Sequence, residues 1–264
     1  MLTDADLAQL HVESVGDGPP LVLLHGWALH GGLFSPIVPS LARQHRVHAV
    51  DLPGHGHSDS LWPWTLQAVV ESLERRFANA GALSVLGWSL GGAVALSWAH
   101  RAPSRISRLL LVTTSPKFIA DDDWPHAMSD ATLVRFADEL RVAFKPTLLR
   151  FLTLQMQGSD EGRVALATLR HQLFSRGEPD PAMLVDALAS LRAIDLRDEV
   201  AHIRHPSLVV TGARDTLAPP EAGAWLAEAL PSGRLHSFKG AAHAPFLSHR
   251  DAFLAVALPF LRHG

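Results

Sequence analysis

The chain has 264 residues, of which 47% are hydrophobic and 19% are charged, and its formal net charge is −3. This length suits one α/β domain with an insertion, or two small domains, and the small net charge gives no basic footprint for nucleic acid. Cysteine and tyrosine are absent, which excludes disulfides, thiolate metal ligands, a cysteine nucleophile and a phenolic acid catalyst. No signal-peptide pattern opens the chain, and no apolar run reaches the ~20 residues of a membrane helix. We therefore expect a soluble, cytoplasmic monomer.

Apolar runs that alternate with helical segments predict a mostly parallel sheet in the first half of the chain. The run at 21–24 is continuously apolar, as expected for a strand covered on both faces. A helix is predicted at 33–43. This alternation is typical of a doubly wound α/β fold. The strands predicted in this half lie at 10–15, 21–24, 46–50, 83–86 and 107–112.

The pattern changes after the strand at 107–112. From 116 to 193 the apolar residues recur at helical spacing, and Pro146, Gly158 and Gly177 separate the segments. This indicates a cap of roughly four helices inserted into an α/β core. The core would comprise 1–115 and 194–264, with further strands at 206–212 and 234–238.

Residues 83–92 predict a nucleophilic serine between a buried strand and a helix. The sequence Gly87-Trp88-Ser89-Leu90-Gly91 fits the G-x-S-x-G pattern. Flanking glycines remove Cβ atoms that would clash in such a tight turn, and the hydroxyl would project at the positive end of the helix. Trp88 is expected to pack beneath the turn. The pentapeptide alone also fits a closely packed helix start, but its context and the residues below favour catalysis.

Loops after two later strands supply a base and an acid. A serine hydroxyl needs a base near neutral pKa, and a histidine base needs a carboxylate to orient it. His243 follows the strand at 234–238, and Asp215 follows the strand at 206–212. The order Ser89, Asp215, His243 is that of α/β-hydrolases. The competing acids are weaker candidates, since Asp51 starts a Pro-Gly turn before the nucleophile and 121–123 begin the cap.

The developing oxyanion needs two donors. The N–H of Leu90 follows the nucleophile, and the N–H of Trp27 lies in the loop after the strand at 21–24. The indole of Trp27 would then wall the acyl pocket. His55 and His57 suggest a metal site, but without cysteine or an obvious third ligand they make a poor one. We expect no metal and no cofactor.

Longer motifs carry a family resemblance. The segments at 24–27, 51–58 and 86–92 resemble the α/β-hydrolase superfamily in general. Four narrower segments resemble the pimeloyl-acyl-carrier-protein methyl ester carboxylesterases, the BioH-type enzymes of biotin synthesis. The resemblance spans about 21–261 and includes the cap. The narrower segments are 123–125, 150–155, 194–197 and 241–249.

The resemblance implies a serine carboxylesterase that releases methanol from the methyl ester of pimeloyl-acyl-carrier protein, and a transient contact with that carrier protein. It implies that carrier docking involves Arg150 and Arg163, whereas Pro146 and Ala167 stand where the family has further basic residues. From the charge and the apolar runs we expect no nucleic-acid or membrane partner. The substrate-binding residues that the resemblance implies are Trp27, Ser89, Leu90, Phe151, Leu152, Thr153, Leu154, Gln155 and His243.

Two other functions fit the same residues. A related hydrolase of small esters, lactones or carbon–carbon bonds would use the same triad. A non-catalytic binding protein on the hydrolase scaffold is also compatible, because a fold does not determine a function.

Overall fold

A computed structural model of the chain describes residues 7–262. Its centre is a seven-stranded sheet in the order β1-β3-β2-β4-β5-β6-β7, in which every neighbouring pair is parallel except β1 with β3. The predicted fold class, a mostly parallel α/β-hydrolase sheet, is therefore confirmed. The strands are β1 (Val12–Val15), β2 (Pro20–Leu24), β3 (Arg46–Val50), β4 (Leu83–Trp88), β5 (Ile106–Val112), β6 (Ser207–Gly212) and β7 (Gly233–Phe238).

Some helices cover the sheet, and four others, α4–α7, form a separate group between β5 and β6. The helix α3 packs on β2, β4 and β5, and α9 packs on β6 and β7. No described helix is both long and apolar enough to cross a membrane. The helices are α1 (Val38–Leu41), α2 (Leu66–Arg76), α3 (Leu90–Arg101), α4 (Asp130–Val142), α5 (Phe144–Gln155), α6 (Gly162–Leu173), α7 (Pro181–Ala193), α8 (Arg197–Val200), α9 (Pro220–Ala229), α10 (Pro245–Ser248) and α11 (Arg250–Arg262).

The burial of the strands follows their place in the sheet. Every residue of β4 and β6 is buried, which explains why these central strands are continuously apolar apart from small residues. The edge strands β1 and β7 are largely exposed. The strand order reverses between β2 and β4, so the loops after these two strands meet at a topological switch point, where ligands bind in open α/β sheets.

The four helices α4–α7 leave and rejoin the core at one place. The N–H of Leu196 donates to the carbonyl of Pro116 over 2.9 Å, and Lys117 forms an ion pair with Asp195 at 3.2 Å. The outgoing and returning segments therefore run side by side. This arrangement supports the boundaries 116 and 193, which we propose for the cap.

The helix predicted at 33–43 is wrong as a continuous element. Residues Gly31–Phe34 form a 3₁₀ turn, and only four residues, Val38–Leu41, form the helix α1. Pro36 and Pro39 lack the N–H that helical pairing needs, and a proline ring also disfavours the helical conformation of the residue before it. The apolar periodicity there buries side chains without extending the helix.

Candidate active site

Ser89 lies at the turn between β4 and α3 in a strained conformation. Its φ is 54° and its ψ is −119°, a left-handed backbone that non-glycine residues rarely adopt. A Cβ on Gly91 would lie 2.2 Å from the carbonyl oxygen of Leu24, and one on Gly87 would lie 2.4 Å from that of Gly91. Gly87 is therefore required for the turn to close on itself, and Gly91 for the turn to fit against the end of β2.

The loop after β2 lies directly against this turn. A Cβ on Gly26 would meet the indole of Trp88 at 3.0 Å and the Cβ of Ser89 at 3.3 Å. Leu90 is the first residue of α3, so its N–H has no partner within the helix. Within residues 7–262, neither this N–H nor that of Trp27 has a hydrogen-bond acceptor. Both remain available to a ligand at Ser89.

Asp215 and His243 form a buried pair. The His243 Nδ1 and the Asp215 Oδ2 are 2.7 Å apart, and the two side chains are 3% and 0% exposed. The other carboxylate oxygen of Asp215 accepts the N–H groups of Leu217 and Ala218, at 2.9 and 3.1 Å. With Nδ1–H directed at the carboxylate, the Nε2 of His243 is left as the basic nitrogen.

The backbone of His243 is held by three further hydrogen bonds. Its carbonyl accepts the indole N–H of Trp88 at 2.7 Å and the hydroxyl of Thr113 at 2.6 Å. Its N–H donates to the carbonyl of Gln155 at 3.0 Å. Trp88 packs beneath the turn as predicted, but its N–H also fixes the backbone of His243. Thr113 was not predicted; its one sequence signal is a polar residue directly after a buried strand.

Ser89 and His243 line the same cavity, of about 370 Å³, between the cap and the sheet. Its walls are mainly apolar. The rings of Trp27, Phe136 and Phe151 pack together, with centroids 5.3 to 5.5 Å apart. The indole N–H of Trp27 donates to the carbonyl of Leu184 on α7 over 2.9 Å. This bond holds the indole against the cap, as a wall of the cavity.

The five residues predicted to contact substrate on α5 lie on different faces of that helix. Phe151 and Leu154 line the cavity. Leu152 is fully buried in the core, and Thr153 is exposed, with its hydroxyl donating to the carbonyl of Leu149. Gln155 is 1% exposed and is not among the residues that line the cavity. Consecutive helical residues point in different directions, so one cavity cannot receive all five.

Asp51 faces the cap and not His243. Its carboxylate accepts the backbone N–H groups of Gly31 and His57 at 2.8 and 2.9 Å. The guanidinium of Arg176 binds both its oxygens, at 2.8 and 2.9 Å. Arg176 comes from the segment between α6 and α7, and its side chain is 9% exposed. Asp51 therefore joins the cap to the core.

The histidines of the loop after β3 do not form the pair that the sequence suggested. A ring nitrogen of His57 lies near His11 and Asp51, with potential ligand atoms within 4.8 Å of one another. Because the carboxylate of Asp51 is already bound by Arg176, whose charge opposes a cation, this group is poorly suited to a metal. His55 is buried instead, and its Nδ1 donates to the carbonyl of Pro53 at 2.9 Å.

His25 stabilises the loop that carries Trp27. Its Nδ1–H donates to the carbonyl of Gly26 at 2.7 Å, and its Nε2 accepts the N–H of Leu52 at 2.8 Å. Burial lowers the pKa of His25 to about 3, because a charged imidazole would lose its hydration. The neutral ring thus connects the loops after β2 and β3.

Arg150 and Arg163 lie on the outer surface of the cap. Arg150 of α5 forms an ion pair with Glu139 of α4. Arg163 is exposed on α6, as is Arg170 two turns later, which donates to the hydroxyl of Thr153 at 3.3 Å. These positions form a basic face on the α5–α6 side of the cap.

Comparisons with known proteins agree with this geometry. Residues 19–250 match the family model described as "alpha/beta hydrolase fold". The chain is 46% identical over 245 residues to the pimeloyl-[acyl-carrier protein] methyl ester esterase of Chromobacterium violaceum, covering 93% of this chain and 95% of that protein.

A second relative supports the same family, and a solved structure has the same fold. The pimeloyl-[acyl-carrier protein] methyl ester esterase of Nitrosomonas europaea is 41% identical, covering 94% of this chain and 98% of that protein. An esterase from Exiguobacterium antarcticum superposes with a TM-score of 0.88 at 22% identity, covering 97% of this chain and 96% of that one; it supports the fold alone. The chain therefore belongs to the alpha/beta hydrolase family, in the group that includes these methyl ester esterases.

Proposed function

We propose that this protein is a serine carboxylesterase that hydrolyses the methyl ester of pimeloyl-acyl-carrier protein to methanol and the carrier-bound pimeloyl acid. The observation that carries the chemistry is that Ser89 and His243 line one cavity, with Asp215 hydrogen-bonded to the far nitrogen of the histidine. The similarity to the methyl ester esterases supports the choice of ester.

In the proposed mechanism the Oγ of Ser89 attacks the ester carbonyl carbon while Nε2 of His243 takes its proton. Asp215 stabilises the resulting imidazolium, and the N–H groups of Leu90 and Trp27 donate to the oxyanion. The tetrahedral intermediate collapses, and methanol leaves with the proton from His243. A water molecule then attacks the acyl-enzyme with the same base, which releases the acid and restores Ser89.

The cavity suits an acyl chain of methylene groups. The aromatic rings of Trp27, Phe136 and Phe151 would cover the chain, and such contacts contribute about 25 cal/mol per Å² of apolar surface removed from water. Ser129 and Thr132 are exposed hydroxyl residues that also line the cavity. We place the polar arm of the carrier at these hydroxyls, where the cavity meets solvent.

We further propose that the carrier protein docks on the α5–α6 face. Residues 145–176 contain five basic and two acidic residues, but the basic residues are not equally available. Arg176 is buried against Asp51, whereas Lys145 and Arg150 are paired with Glu178 and Glu139. In the part of the chain that the structure describes, Arg163 and Arg170 alone of the five lack a carboxylate within 4.0 Å; their positions therefore favour an acidic partner.

Replacing the nucleophile tests the chemistry. Ser89→Ala should reduce turnover of p-nitrophenyl butyrate by roughly 10⁴-fold or more, since triad members usually contribute that much. Ser97→Ala, on the same helix, is the matched control and should remain active. A folded, active Ser89→Ala protein would exclude the serine mechanism.

Charge reversal on the cap tests the partner. Arg163→Glu should raise KM for the carrier-bound methyl ester and flatten its salt dependence, because encounter with an acidic carrier is then no longer attractive. Arg141→Glu, on α4, is the control, and p-nitrophenyl butyrate should be unaffected by either change. Equal effects on both substrates, or on neither, would favour the hydrolase of small esters over the carrier-dependent enzyme.

A further inference from the structure

The cap contacts both loops that carry the acid and the base. The contact is made by the turn at 155–160, between α5 and α6. The N–H of His243 donates to the carbonyl of Gln155, and the N–H of Asp160 donates to the carbonyl of Gly240, both at 3.0 Å. The loop after β7, which carries His243, is thus joined to this turn at two points.

Arg214 joins the acid loop to the same turn. Its guanidinium donates to the carbonyl of Gly158 at 2.5 Å and forms an ion pair with Asp160. Its backbone N–H donates to the carbonyl of Ala241 in the base loop at 3.0 Å. A residue directly before Asp215 therefore has its side chain on the cap and its backbone on the loop of His243.

The carboxylate of Asp215 is fixed within its own loop. One oxygen accepts two N–H groups of that loop, from Leu217 and Ala218. The carboxylate and the loop must therefore move together. The distance from Asp215 to His243 then depends on the contacts between this loop and neighbouring segments. The guanidinium of Arg214 makes such a contact with the cap.

We propose that Arg214 is a positioning residue: its guanidinium binds the acid loop to the turn at 155–160 and so keeps Asp215 aligned with His243. The proposal rests on the proposed function, since it assumes that this pair orients the base for Ser89. Arginine suits the task because its planar group donates to a carbonyl and a carboxylate at once, which a lysine ammonium does with less directional control.

A merely stabilising role makes a different prediction. The side chains of Arg214 and Asp160 are 45% and 59% exposed, and exposed ion pairs contribute little to stability. A small displacement of a catalytic group, by contrast, reduces turnover markedly. Loss of this contact should therefore reduce kcat far more than it reduces stability.

The test compares Arg214→Ala with Arg214→Lys, with Arg141→Ala as control. Arg141 is also exposed and paired, but its partner Asp138 lies on the same helix, so it joins no two segments. For p-nitrophenyl butyrate, Arg214→Ala should lower kcat roughly three- to tenfold and change KM less than about twofold, because chemistry and not binding is affected. The lysine variant should lie between it and the wild type, and the melting temperature should shift by only about 2 °C.

A second variant tests the same contact without a substitution in the acid loop. Asp160→Asn removes the carboxylate charge at the other end of the contact and should lower kcat in the same direction, with no further loss in the double variant. A kcat equal to that of Arg141→Ala, or a loss that follows the fall in melting temperature, would overturn the proposal. If Ser89→Ala remained active, the proposed function would fail instead, whatever the arginine variants do.

Discussion

The buried imidazole of His55 should make the protein less stable in acid. Burial lowers its pKa to about 4 from an ordinary value of 6.5, because the charged form would lose its hydration. The unfolded chain therefore binds this proton before the folded chain does. Stability is highest above the unfolded pKa and is lost as the pH falls from about 6.5 toward 4. Between pH 7 and pH 5 this difference in pKa lowers the free energy of unfolding by about 2 kcal/mol.

His55→Gln removes this proton while the glutamine amide can still donate to the carbonyl of Pro53. We expect the variant to be less stable than the wild type at pH 7, through lost packing, but the difference should shrink by about 2 kcal/mol at pH 5. Urea unfolding at pH 7, 6 and 5, followed by tryptophan fluorescence, measures both proteins. His100→Gln, at an exposed position on α3, is the matched control. A difference between wild type and His55→Gln that stays constant across this range would refute the reasoning.

Two further predictions concern the cap. Arg176→Met leaves the buried carboxylate of Asp51 without its cation and should lower the free energy of unfolding by about 3–5 kcal/mol, measured by urea titration; an unchanged midpoint would contradict the role of this pair. Phe151→Ala should raise KM for p-nitrophenyl butyrate roughly fivefold with little loss of stability. Leu152→Ala should instead lower the free energy of unfolding by about 2–5 kcal/mol and leave KM nearly unchanged. If Leu152→Ala raised KM and Phe151→Ala lowered stability, the cavity-lining face of α5 would be wrongly assigned.

The three candidate catalytic residues could be predicted because each one follows a strand of the parallel sheet. In a parallel sheet the carboxyl ends of the strands lie at one edge, so Ser89, Asp215 and His243 are expected near each other before any distance is known. The predicted order and the strand ends agree with the observed loops. What the pattern does not contain is the set of backbone contacts that fix the loops. Trp88 and Thr113 both donate to the carbonyl of His243, and a hydrogen bond to a carbonyl leaves no sequence motif.

The resemblance could not predict which face of α5 lines the cavity, because a sequence motif is a run of consecutive residues. Helical geometry separates such a run into a cavity side with Phe151 and Leu154 and a core side with Leu152. The apolar periodicity of α5 is compatible with either assignment, because more than one face of the helix carries apolar side chains. Only the packing of α5 against Trp27 decides which face meets the cavity.

Counting the basic residues at 145–176 likewise overestimates the docking charge, because the count includes Arg176. The count of basic residues in the cap included it as a possible docking cation, yet it is bound to Asp51 and Glu13, at 2.8 and 2.6 Å. Asp51 lies 125 residues from Arg176 along the chain, so no local pattern could reveal this ion pair. The sequence therefore overestimates the charge available to a carrier protein.

The contacts of the cap divide into two groups that hold different loops of the candidate site. On one side the indole N–H of Trp27 donates to the carbonyl of Leu184 on α7, which holds the loop after β2 against the cap. On the other side Gln155 and the Arg214–Asp160 pair hold the base and acid loops against the end of α5. Because α5 also contributes Phe151 and Leu154 to the cavity, a partner that displaced this helix would move the cavity wall together with the loops of Asp215 and His243. The cap is thus a structural part of the candidate site as well as its cover.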